Sequence, residues 1–456
     1  MKITSVSPQN PSDVVLSIDA HSSTEVVAIF QKARVAQTAW WALGAAGRAN
    51  ALNAAADKLA AVAADAAALI VREVGKPTAE ANGEVGRAVA ILRYYAQSSF
   101  ASKGDFFPPS AKGFLWSERR PHGVAGLITP WNFPMAIPLW KAAPALAAGN
   151  AVVIKPSPDA IAGALFIQEI LTSVLPENLF NVVIGGPEVG ETLVQNADVV
   201  SFTGSSAVGK MIAVAATQRG IPVQSEMGGQ NAAIVLADAD PTSTAALIAG
   251  ASMWFAGQKC TCTRRVITVG SNPQFIDALV TAVNALGVGD PADTANLVGP
   301  LINPASVAKF EAALASASAI GAQVLAGGTT DTTNGYFVAP TILAGVPADH
   351  PLSCDEVFGP LITVHEAADV DEAIALANSV NYGLATSVHG KDHDTLMKVA
   401  NAAHSGMVKV NAGTTGVDFY APFGGEKDSS IGMREQGLGA LDFYSTIHTV
   451  TYAPHA

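Results

Sequence analysis

Charged residues are scarce in this chain. They make up 14% of its 456 residues, against 49% for hydrophobic residues. Because so few charges cannot cover a surface of this size, we predict that part of it is covered by another copy of the chain. The charges are also unbalanced, with a formal net charge of −12 at pH 7. This excess of acids argues against nucleic acid and anionic membranes as partners.

Cysteine is rarer still, with Cys260, Cys262 and Cys354 the only three. An odd number in a long chain argues against a disulfide framework and indicates a reducing compartment. Cys260 and Cys262 lie in a short loop that the pattern places between a helix ending near Phe255 and a strand from Val266. Such a position suits a nucleophilic thiol facing a cleft. It equally suits a small buried side chain.

Long apolar runs are missing as well. The first 11 residues are polar and lack the apolar region of a signal peptide. The alanine-rich stretches that follow are broken by Asp57, Lys58, Asp65 and Arg72, so none is predicted to span a bilayer. We therefore expect a cytoplasmic protein.

At about 150 residues per domain, the length predicts two or three domains.

Periodic patterns predict an α/β protein. Residues 22–97 have helical periodicity with breaks at Gly44 and at residues 75–77. From Val124 onward, predicted strands and helices alternate, which is typical of a parallel sheet covered by helices. The predicted strands of this part are residues 124–129, 151–154, 179–184, 199–203 and 231–236. Residues 114–121 and 444–452 read as exposed strands that need a partner.

Two apparent ligand motifs fail on inspection. Residues 204–210 read GSSAVGK, which matches the phosphate-binding pattern G-x-x-x-x-G-K. Met211 follows, however, where such a loop needs a hydroxyl for magnesium, and this disfavours a nucleotide hydrolase. His389 and His393 are separated by Gly-Lys-Asp, which predicts a solvated turn. We therefore predict no metal site.

Seven short motifs then occur in order. They are ITPWNFP at residues 128–134, IKPS at 154–157, FTGS at 202–205, EMGGQN at 226–231, GQKC at 257–260, EVFGP at 356–360 and PFGG at 422–425. With them, essentially the whole chain resembles the aldehyde dehydrogenase superfamily. The C-terminal motifs GVDF at 416–419 and GMREQG at 432–437 are most similar to 2-oxoglutarate-semialdehyde dehydrogenases. The stretch KPSP at 155–158 is similar to benzaldehyde dehydrogenases.

The resemblance implies an α/β fold of three parts. A Rossmann-like nucleotide-binding domain would comprise residues 1–105 and 122–226, followed by an α/β catalytic domain over residues 227–437. A small β oligomerisation domain would be built from residues 106–121 and 442–456, and the resemblance implies a homodimer or homotetramer. The implied activity is NAD(P)-dependent oxidation of an aldehyde to the carboxylic acid.

The resemblance also implies catalytic roles. Cys260 would be the nucleophile that forms a thiohemiacetal and then a thioester, and Glu226 would be the general base. The Asn132 amide and the Cys260 backbone N–H would stabilise the oxyanion. Lys141 and Glu435 match positions associated with a proton relay, although a surface ion pair is an equal alternative. Cys262 would be a redox partner that traps oxidised Cys260 as a disulfide, or simply a small buried side chain.

The positions that the resemblance places around NAD or NADP are spread over several motifs. They are Thr129, Pro130, Trp131, Lys155, Ser157, Pro158, Thr203, Gly204, Ser205, Gly228, Glu356 and Phe358. Members strict for NAD usually carry a glutamate where this chain has Pro158, and that carboxylate would repel a 2′-phosphate. Lys155 remains as a cation. We therefore predict that NADP is accepted and slightly favoured over NAD.

The positions that the resemblance places around the aldehyde are apolar. They are Phe133, Ile137, Trp140, Trp254, Phe255, Val417 and Phe423. None is cationic, whereas dehydrogenases for acid semialdehydes commonly bind the distal carboxylate through arginine. We therefore predict an apolar or aromatic aldehyde, with 2-oxoglutarate or succinate semialdehyde as the alternative. A CoA-acylating enzyme and a non-catalytic binding homologue are further alternatives, which the presence of Glu226, Cys260 and Asn132 disfavours.

Overall fold

A hairpin and four helices form the N-terminal part of the protein. A computed structural model describes residues 1–101 and 104–454. The elements of this part are β1 Lys2–Ser7, β2 Asn10–Asp19, α1 Ser23–Ala42, α2 Gly44–Ala61, α3 Ala63–Val74 and α4 Thr78–Ser98. The predicted helices and breaks are confirmed, and Gly75 ends α3 in the left-handed conformation with φ 66°. The hairpin escaped the sequence analysis because the segment is mostly polar.

The middle of the chain alternates strands and helices as predicted. Its elements are β3 Phe106–Phe107, β4 Phe114–Pro121, β5 Val124–Ile128, α5 Ala136–Ala148, β6 Ala151–Lys155, α6 Ile161–Thr172, β7 Phe180–Val182, α7 Pro187–Asn196, β8 Val199–Thr203, α8 Ser206–Gln218 and β9 Val223–Glu226. Strands β5 to β9 form a parallel sheet in the order β9-β8-β5-β6-β7. Because parallel strands end at the same edge, Lys155, Thr203 and Glu226 are carried to one edge of this sheet.

The remaining chain builds a second sheet. Its elements are β10 Asn231–Val235, α9 Pro241–Met253, β11 Thr263–Val269, α10 Pro273–Asn284, β12 Gly287–Val288, β13 Asn296–Val298, α11 Pro304–Ala319, β14 Gln323–Ala326, β15 Thr330–Asp331, β16 Phe337–Val338, β17 Thr341–Ala344, α12 Pro351–Cys354, β18 Leu361–Ala367, α13 Val370–Asn378, β19 Tyr382–Gly383, β20 Ala385–His389, α14 His393–Ala402, β21 Met407–Val410, β22 Glu426–Lys427, β23 Ser430–Ile431, α15 Gly439–Phe443 and β24 Ser445–Tyr452. The sheet order is β14-β17-β18-β11-β10-β20-β21. Only β14 is antiparallel to its neighbour, among the residues described.

A C-terminal strand also pairs with the first of the two large sheets. Strand β23 lies late in the sequence, yet it pairs antiparallel with β9 at the edge of the first sheet, with Ser430 opposite Glu226. This contact brings a C-terminal segment against the strand that carries Glu226. The α/β prediction is confirmed. The division into residues 1–105 with 122–226, 227–437, and 106–121 with 442–456 stays a prediction.

A separate sheet of three strands projects apolar side chains. It has the order β24-β4-β3, and β24 pairs with β4 along its whole length from Ser445 to Tyr452. Phe106 and Ile447 on this sheet are 80% and 63% exposed. Both exposed strands predicted from the sequence are thus present and pair with each other. Residues 455 and 456 of the predicted oligomerisation segment lie outside the described residues.

Helices of the described ranges were also compared with the requirements of a membrane. None of them combines the length and the apolar character that a transmembrane helix needs.

Candidate active site

Cys260 sits on a strained loop between α9 and β11. The backbone turns at Phe255, Ala256 and Gly257, which have φ values of 57°, 52° and 65°. Non-glycine residues held in this left-handed region each cost about 1–3 kcal/mol. The loop is fixed by buried Gln258, whose side chain accepts from the Ile302 N–H at 2.9 Å and donates to the Pro300 carbonyl at 3.0 Å.

Arg264 fixes the same loop from the other side. Its buried guanidinium donates to the Gly257 carbonyl at 2.5 Å and to the Gly359 carbonyl at 2.6 Å. Glycine is required at position 257, because a Cβ there would lie 2.4 Å from the Gly359 oxygen. These contacts tie the Cys260 loop to the loop that carries Glu356 and Phe358.

A cavity of about 290 Å³ opens in front of Cys260. Its walls come from α4, α5, the ends of β8 and β9, the Cys260 loop and the segment around Val417. The lining residues are Glu80, Gly83, Glu84, Arg87, Phe133, Ile137, Trp140, Thr203, Glu226, Met227, Trp254, Lys259, Cys260, Thr261, Thr415, Gly416, Val417 and Phe423. The structure therefore brings a thiol and a carboxylate to one mostly apolar cavity.

Glu226 ends β9 and is buried. One carboxylate oxygen, Oε2, accepts from the Ser430 hydroxyl at 2.5 Å, while Oε1 has no hydrogen-bond partner among the described residues. Burial raises the pKa of this carboxyl well above its usual range, and the nearby carboxylate of Glu435 raises it further. The side chain is thus a stronger base than an exposed glutamate.

The surroundings of Cys260 favour the protonated form of its thiol. Burial raises its pKa, and the carboxylates of Glu356 and Glu226 raise it further. A thiol must lose its proton to act as a nucleophile, so a base has to be within the same cavity. Glu226 is the carboxylate that meets this requirement, since it lines the cavity and has a free oxygen.

Asn132 lies beside the Cys260 loop. Its side-chain nitrogen donates to the Gln258 carbonyl at 2.9 Å, and the residue is buried. An amide nitrogen has two N–H groups, so one remains for another acceptor. The following helix, α5, is held by Glu84, whose Oε1 accepts from the Met135 and Ala136 N–H groups at 2.9 Å and 3.0 Å.

Glu84 is itself paired with Lys76, and both side chains are completely buried. Burial lowers the pKa of Lys76, an effect that the Glu84 carboxylate opposes. The Lys76 Nζ also lies 3.7 Å from the ring centroid of Phe133 and 4.7 Å from that of Phe255. This pair therefore braces the start of α5 and one wall of the cavity.

Lys141 and Glu435 form a second buried ion pair, so the alternative of a surface pair is wrong. The Lys141 Nζ also donates to the Ser201 hydroxyl at 2.7 Å. The Oε2 of Glu435 has no hydrogen-bond partner among the described residues. Because Glu435 acts on the pKa of Glu226, the pair and the candidate base are close enough to interact.

A larger groove of about 660 Å³ lies at the edge of the first sheet. Its walls include Lys155 at the end of β6, Pro158 and the exposed carboxylate of Glu191. Lys155 is only 8% exposed and donates to the Pro156 carbonyl at 3.2 Å, without an acidic partner. Burial lowers its pKa to about 8.

Several polar groups near this groove and near Cys260 have no hydrogen-bond partner among the described residues. The buried hydroxyls of Thr129 and Thr203 have no hydrogen-bond partner among the described residues. Ser205 precedes the 13-residue helix α8 without capping it through its side chain, so its hydroxyl and the helix N-terminus are both available. A ligand with phosphate and hydroxyl groups fits this row of donors, as a dinucleotide requires.

Glu356 and Phe358 are the last two residues predicted to contact the cofactor. Glu356 accepts from the Gly229 N–H at 3.3 Å, and a Cβ at Gly228 would lie 2.2 Å from its carboxylate, so a side chain at position 228 would displace that carboxylate. Phe358 has φ 57° and meets the ring of Trp131 edge-on, with centroids 5.7 Å apart.

Comparison with known proteins identifies this arrangement. The model of the aldehyde dehydrogenase family matches residues 1–450. An alpha-ketoglutaric semialdehyde dehydrogenase of Bacillus subtilis is 37% identical over 98% of this chain and 94% of its own length. The chain belongs to the aldehyde dehydrogenase family.

Solved structures agree with this assignment. An NAD-dependent aldehyde dehydrogenase from Sinorhizobium meliloti superposes with a TM-score of 0.95 at 31% identity, over 100% of this chain and 93% of that one. An NADP dependent enzyme from E. coli superposes with a TM-score of 0.95 at 35% identity, over 100% and 95%. The predicted fold and the prediction of an NAD(P)-dependent aldehyde dehydrogenase are confirmed.

Most residues predicted for the site of this aldehyde dehydrogenase lie together. The cavity in front of Cys260 holds Glu226, Thr203, Phe133, Ile137, Trp140, Trp254, Val417 and Phe423. Phe255 is the exception, and its placement in the aldehyde pocket is wrong. The left-handed turn directs the Phe255 side chain away from the cavity. The ring is fully buried and packs against Trp131 and Lys76.

The positions predicted for the aldehyde pocket include no cation, but they are not the whole lining of the cavity. Arg87 and Lys259 line it, together with Glu80 and Glu84. The helical spacing of residues 80, 83, 84 and 87 marks one face of α4, but only packing shows that this face turns to Cys260.

Two cysteine and histidine predictions have different outcomes. Cys262 is fully buried, with its N–H bonded to the Lys259 carbonyl at 3.1 Å, and its role as redox partner of Cys260 stays a prediction.

His389 ends strand β20 and is buried, so the predicted solvated turn is wrong at that residue. Within residues 1–101 and 104–454, no group of three potential ligands could hold a metal ion.

Replacing Lys76 by methionine should destabilise the protein by about 3–5 kcal/mol, because it leaves the buried carboxylate of Glu84 without its partner. Urea unfolding of the variant and the parent measures this change. Lys58→Met is the control, since Lys58 is exposed and only donates to the Ser173 hydroxyl. An equal loss of unfolding free energy in both variants would contradict a stabilising role of the Lys76–Glu84 pair.

Proposed function

We propose that Cys260, Glu226 and Asn132 oxidise a small aldehyde to its carboxylic acid with NAD or NADP as oxidant. The observation that carries this proposal is the single cavity lined by both Cys260 and Glu226, whose Oε1 has no hydrogen-bond partner among the described residues. The alternatives of a CoA-acylating enzyme and a non-catalytic homologue lack support, because a buried base is available to activate water.

In the first step, Glu226 removes the thiol proton and the Cys260 sulfur attacks the aldehyde carbon to form a thiohemiacetal. The oxygen becomes negative and is stabilised by the free N–H of Asn132 and the Cys260 backbone N–H. Thr203 and Glu356 would hold the nicotinamide end of the cofactor, which when bound supplies the acceptor for the hydride lost from this carbon. Glu226 then deprotonates water, which attacks the resulting thioester and releases the acid and free Cys260.

Lys141 and Glu435 suit a proton relay in this scheme. Glu226 gains a proton in each half of the reaction and must lose it while buried. The buried carboxylate of Glu435, with its own unpartnered oxygen, and the ammonium of Lys141 offer acceptor and donor groups behind Glu226. We infer the relay there because both Glu435 and Lys141 act on the pKa of Glu226.

The groove next to β6 suits NADP. Lys155 is a buried cation with no acidic partner among the described residues, Pro158 contributes no carboxylate to repel a 2′-phosphate, and the carboxylate of Glu191 in the same groove is exposed. The phosphate would supply the missing counter-charge, whereas the ribose hydroxyl of NAD would not. Thr129, Ser157 and Ser205 would serve either cofactor, since none of them distinguishes the two.

The three-stranded sheet β24-β4-β3 suits an oligomer interface. Its exposed side chains Phe106, Phe114, Ile447 and Tyr452 form an apolar surface of the kind that a second subunit covers. This supports the predicted homodimer or homotetramer and the predicted oligomerisation domain.

Cys260→Ala should abolish aldehyde oxidation while the protein still binds NADP, because the covalent step is lost. Glu226→Gln should lower steady-state turnover by about 100- to 10,000-fold and leave a burst of reduced cofactor, since thioester hydrolysis loses its base. Stopped-flow absorbance of NADPH measures both. Cys354→Ala is the matched control, because that thiol donates to the Ala348 carbonyl away from the cavity. Wild-type turnover in Cys260→Ala would disprove the scheme.

Pro158→Glu should shift the ratio of kcat/KM for NADP over NAD by about tenfold or more towards NAD, through repulsion of the 2′-phosphate. Pro158→Ala, which adds no carboxylate, is the control. For the parent enzyme the same ratio should fall as pH rises through about 8, where Lys155 loses its charge. A preference of the parent enzyme for NAD of about a hundredfold would contradict the assignment.

The double variant Phe106→Glu, Ile447→Glu should be smaller in solution than the parent, because two buried charges would oppose association through the three-stranded sheet. Light scattering after size-exclusion chromatography gives the molar mass. Val35→Glu is the control, since Val35 is 75% exposed on α1. A monomeric parent enzyme, or an unchanged mass in the double variant, would contradict this interface.

A further inference from the structure

The backbone is held on both sides of Cys260. The peptide group that joins Lys259 to Cys260, here called the Lys259–Cys260 peptide, contains the Lys259 carbonyl and the Cys260 N–H. Its carbonyl accepts from the Cys262 N–H at 3.1 Å and from Nη2 of Arg264 at 3.5 Å. On the other side, the Cys260 carbonyl accepts from the Asn231 amide at 2.8 Å. These contacts fix the direction in which the Cys260 N–H points.

The two ends of the Lys259–Cys260 peptide are bonded unequally. Its carbonyl accepts two hydrogen bonds, whereas its N–H donates to no residue in the described part of the chain. Hydrogen bonds polarise a peptide cooperatively, so donors on the carbonyl make the N–H at the other end a stronger donor. A free N–H that is polarised in this way suits an anionic acceptor, such as the oxyanion of the proposed thiohemiacetal.

Arg264 brings a full positive charge to this peptide. The side chain is only 2% exposed and forms no ion pair with any described residue. Its donors to the Gly257 and Gly359 carbonyls, at 2.5 Å and 2.6 Å, hold the guanidinium in place. A buried charge is screened less than one at the surface, so it acts on a nearby carbonyl more strongly than a neutral donor does. The guanidinium therefore both orients and polarises the Lys259–Cys260 peptide.

Support of the loop alone does not require a charge. Gln258 holds the same loop with a neutral amide, through two backbone groups that follow β13. A buried guanidinium has a larger desolvation cost than a buried amide. Burial also raises the pKa of the Glu356 carboxyl, and the charge of Arg264 opposes this increase. The charge can thus act at Glu356 or at the Lys259–Cys260 peptide, and these two roles change different kinetic constants.

We propose that Arg264 is a positioning residue for the oxyanion formed at Cys260, and that it acts through the Lys259–Cys260 peptide. The inference rests on the proposed function, because the oxyanion arises only when the Cys260 sulfur attacks an aldehyde. The new negative charge on the aldehyde oxygen is bound by the Cys260 N–H, and the charge of Arg264 strengthens this bond. Because the bond is stronger in the transition state than in the substrate complex, Arg264 raises the rate of the chemical step rather than the affinity for the aldehyde.

The test measures the first turnover of the holoenzyme by stopped-flow absorbance of NADPH. The aldehyde is hexanal or succinate semialdehyde, whichever the parent enzyme oxidises faster. Arg264→Met should lower the rate constant of NADPH formation by about 10- to 100-fold, while the half-saturating aldehyde concentration stays within about threefold of the parent value. Arg264→Lys, which keeps the charge, should lose less than Arg264→Met.

Alkylation of the Cys260 thiol by iodoacetamide provides the second readout, followed by mass spectrometry of the peptide that contains Cys260. In this reaction the sulfur displaces iodide from a saturated carbon, so no oxyanion forms. The alkylation rate of Arg264→Met should stay within about threefold of the parent rate, because the reaction needs only an accessible thiolate. A loss of first turnover without a matching loss of alkylation is therefore specific to the oxyanion.

Arg265→Met is the matched control. Arg265 is the next residue, and its buried guanidinium also donates to three backbone carbonyls, at 2.7 Å to 3.0 Å, none of them in the Cys260 loop. Any loss in this variant should be the same for NADPH formation and for alkylation. If Arg264→Met does not fold, Arg264→Gln takes its place with the same expectation, since glutamine keeps an amide donor without the charge.

Three results would overturn the proposal. They are an unchanged first turnover, equal losses of NADPH formation and alkylation, which would show a structural role, and a loss confined to the affinity for NADP, which would place the action of Arg264 at Glu356. Failure of the proposed function is distinct from all three. In that case the parent would form no NADPH in the first turnover, or Cys260→Ala would form it as fast as the parent.

Discussion

Desolvation of ionisable groups is the constraint on which this active site depends. Taking a carboxylate or an ammonium out of water is costly unless a partner replaces the hydration. Lys76 with Glu84 and Lys141 with Glu435 meet this requirement as buried pairs. Glu226 meets it only in part, with one oxygen bonded to Ser430 and the other free. That incomplete pairing raises its pKa and gives it the basicity that a thiol and a water molecule require.

The same constraint explains how the cavity is built. The ends of β6, β8 and β9 deliver Lys155, Thr203 and Glu226 to one edge, where buried polar atoms lack partners within the described protein. Such orphaned groups are costly in a folded chain and are retained where a ligand completes their bonds. In contrast, Arg264 and Gln258 are used for support, since their donors hold the backbone of the Cys260 loop. One set of polar groups in the site therefore holds the backbone in place, and the other set can bind a ligand.

Two departures from the sequence predictions share one cause. Phe255 and Trp254 are adjacent in an apolar stretch, yet Trp254 lines the cavity and Phe255 packs behind it. Their opposite directions follow from a left-handed turn that no composition rule indicates. Arg87 was overlooked because it lies in a long helix far from any motif. A helix shows which residues share a face, but the partner of that face is decided by packing.

The sequence by itself determined the α/β class, the helical N-terminal stretch with its breaks at Gly44 and residues 75–77, the alternating strands and the family through seven ordered motifs. These features depend on local periodicity and on residues that lie next to one another in the chain. Only the tertiary structure decided that Lys141 and Glu435 are buried together, that Ser430 meets Glu226, and that Arg87 faces Cys260. These contacts join residues up to 294 positions apart. Burial and electrostatics depend on such distant neighbours, so they become definite only when the chain is packed.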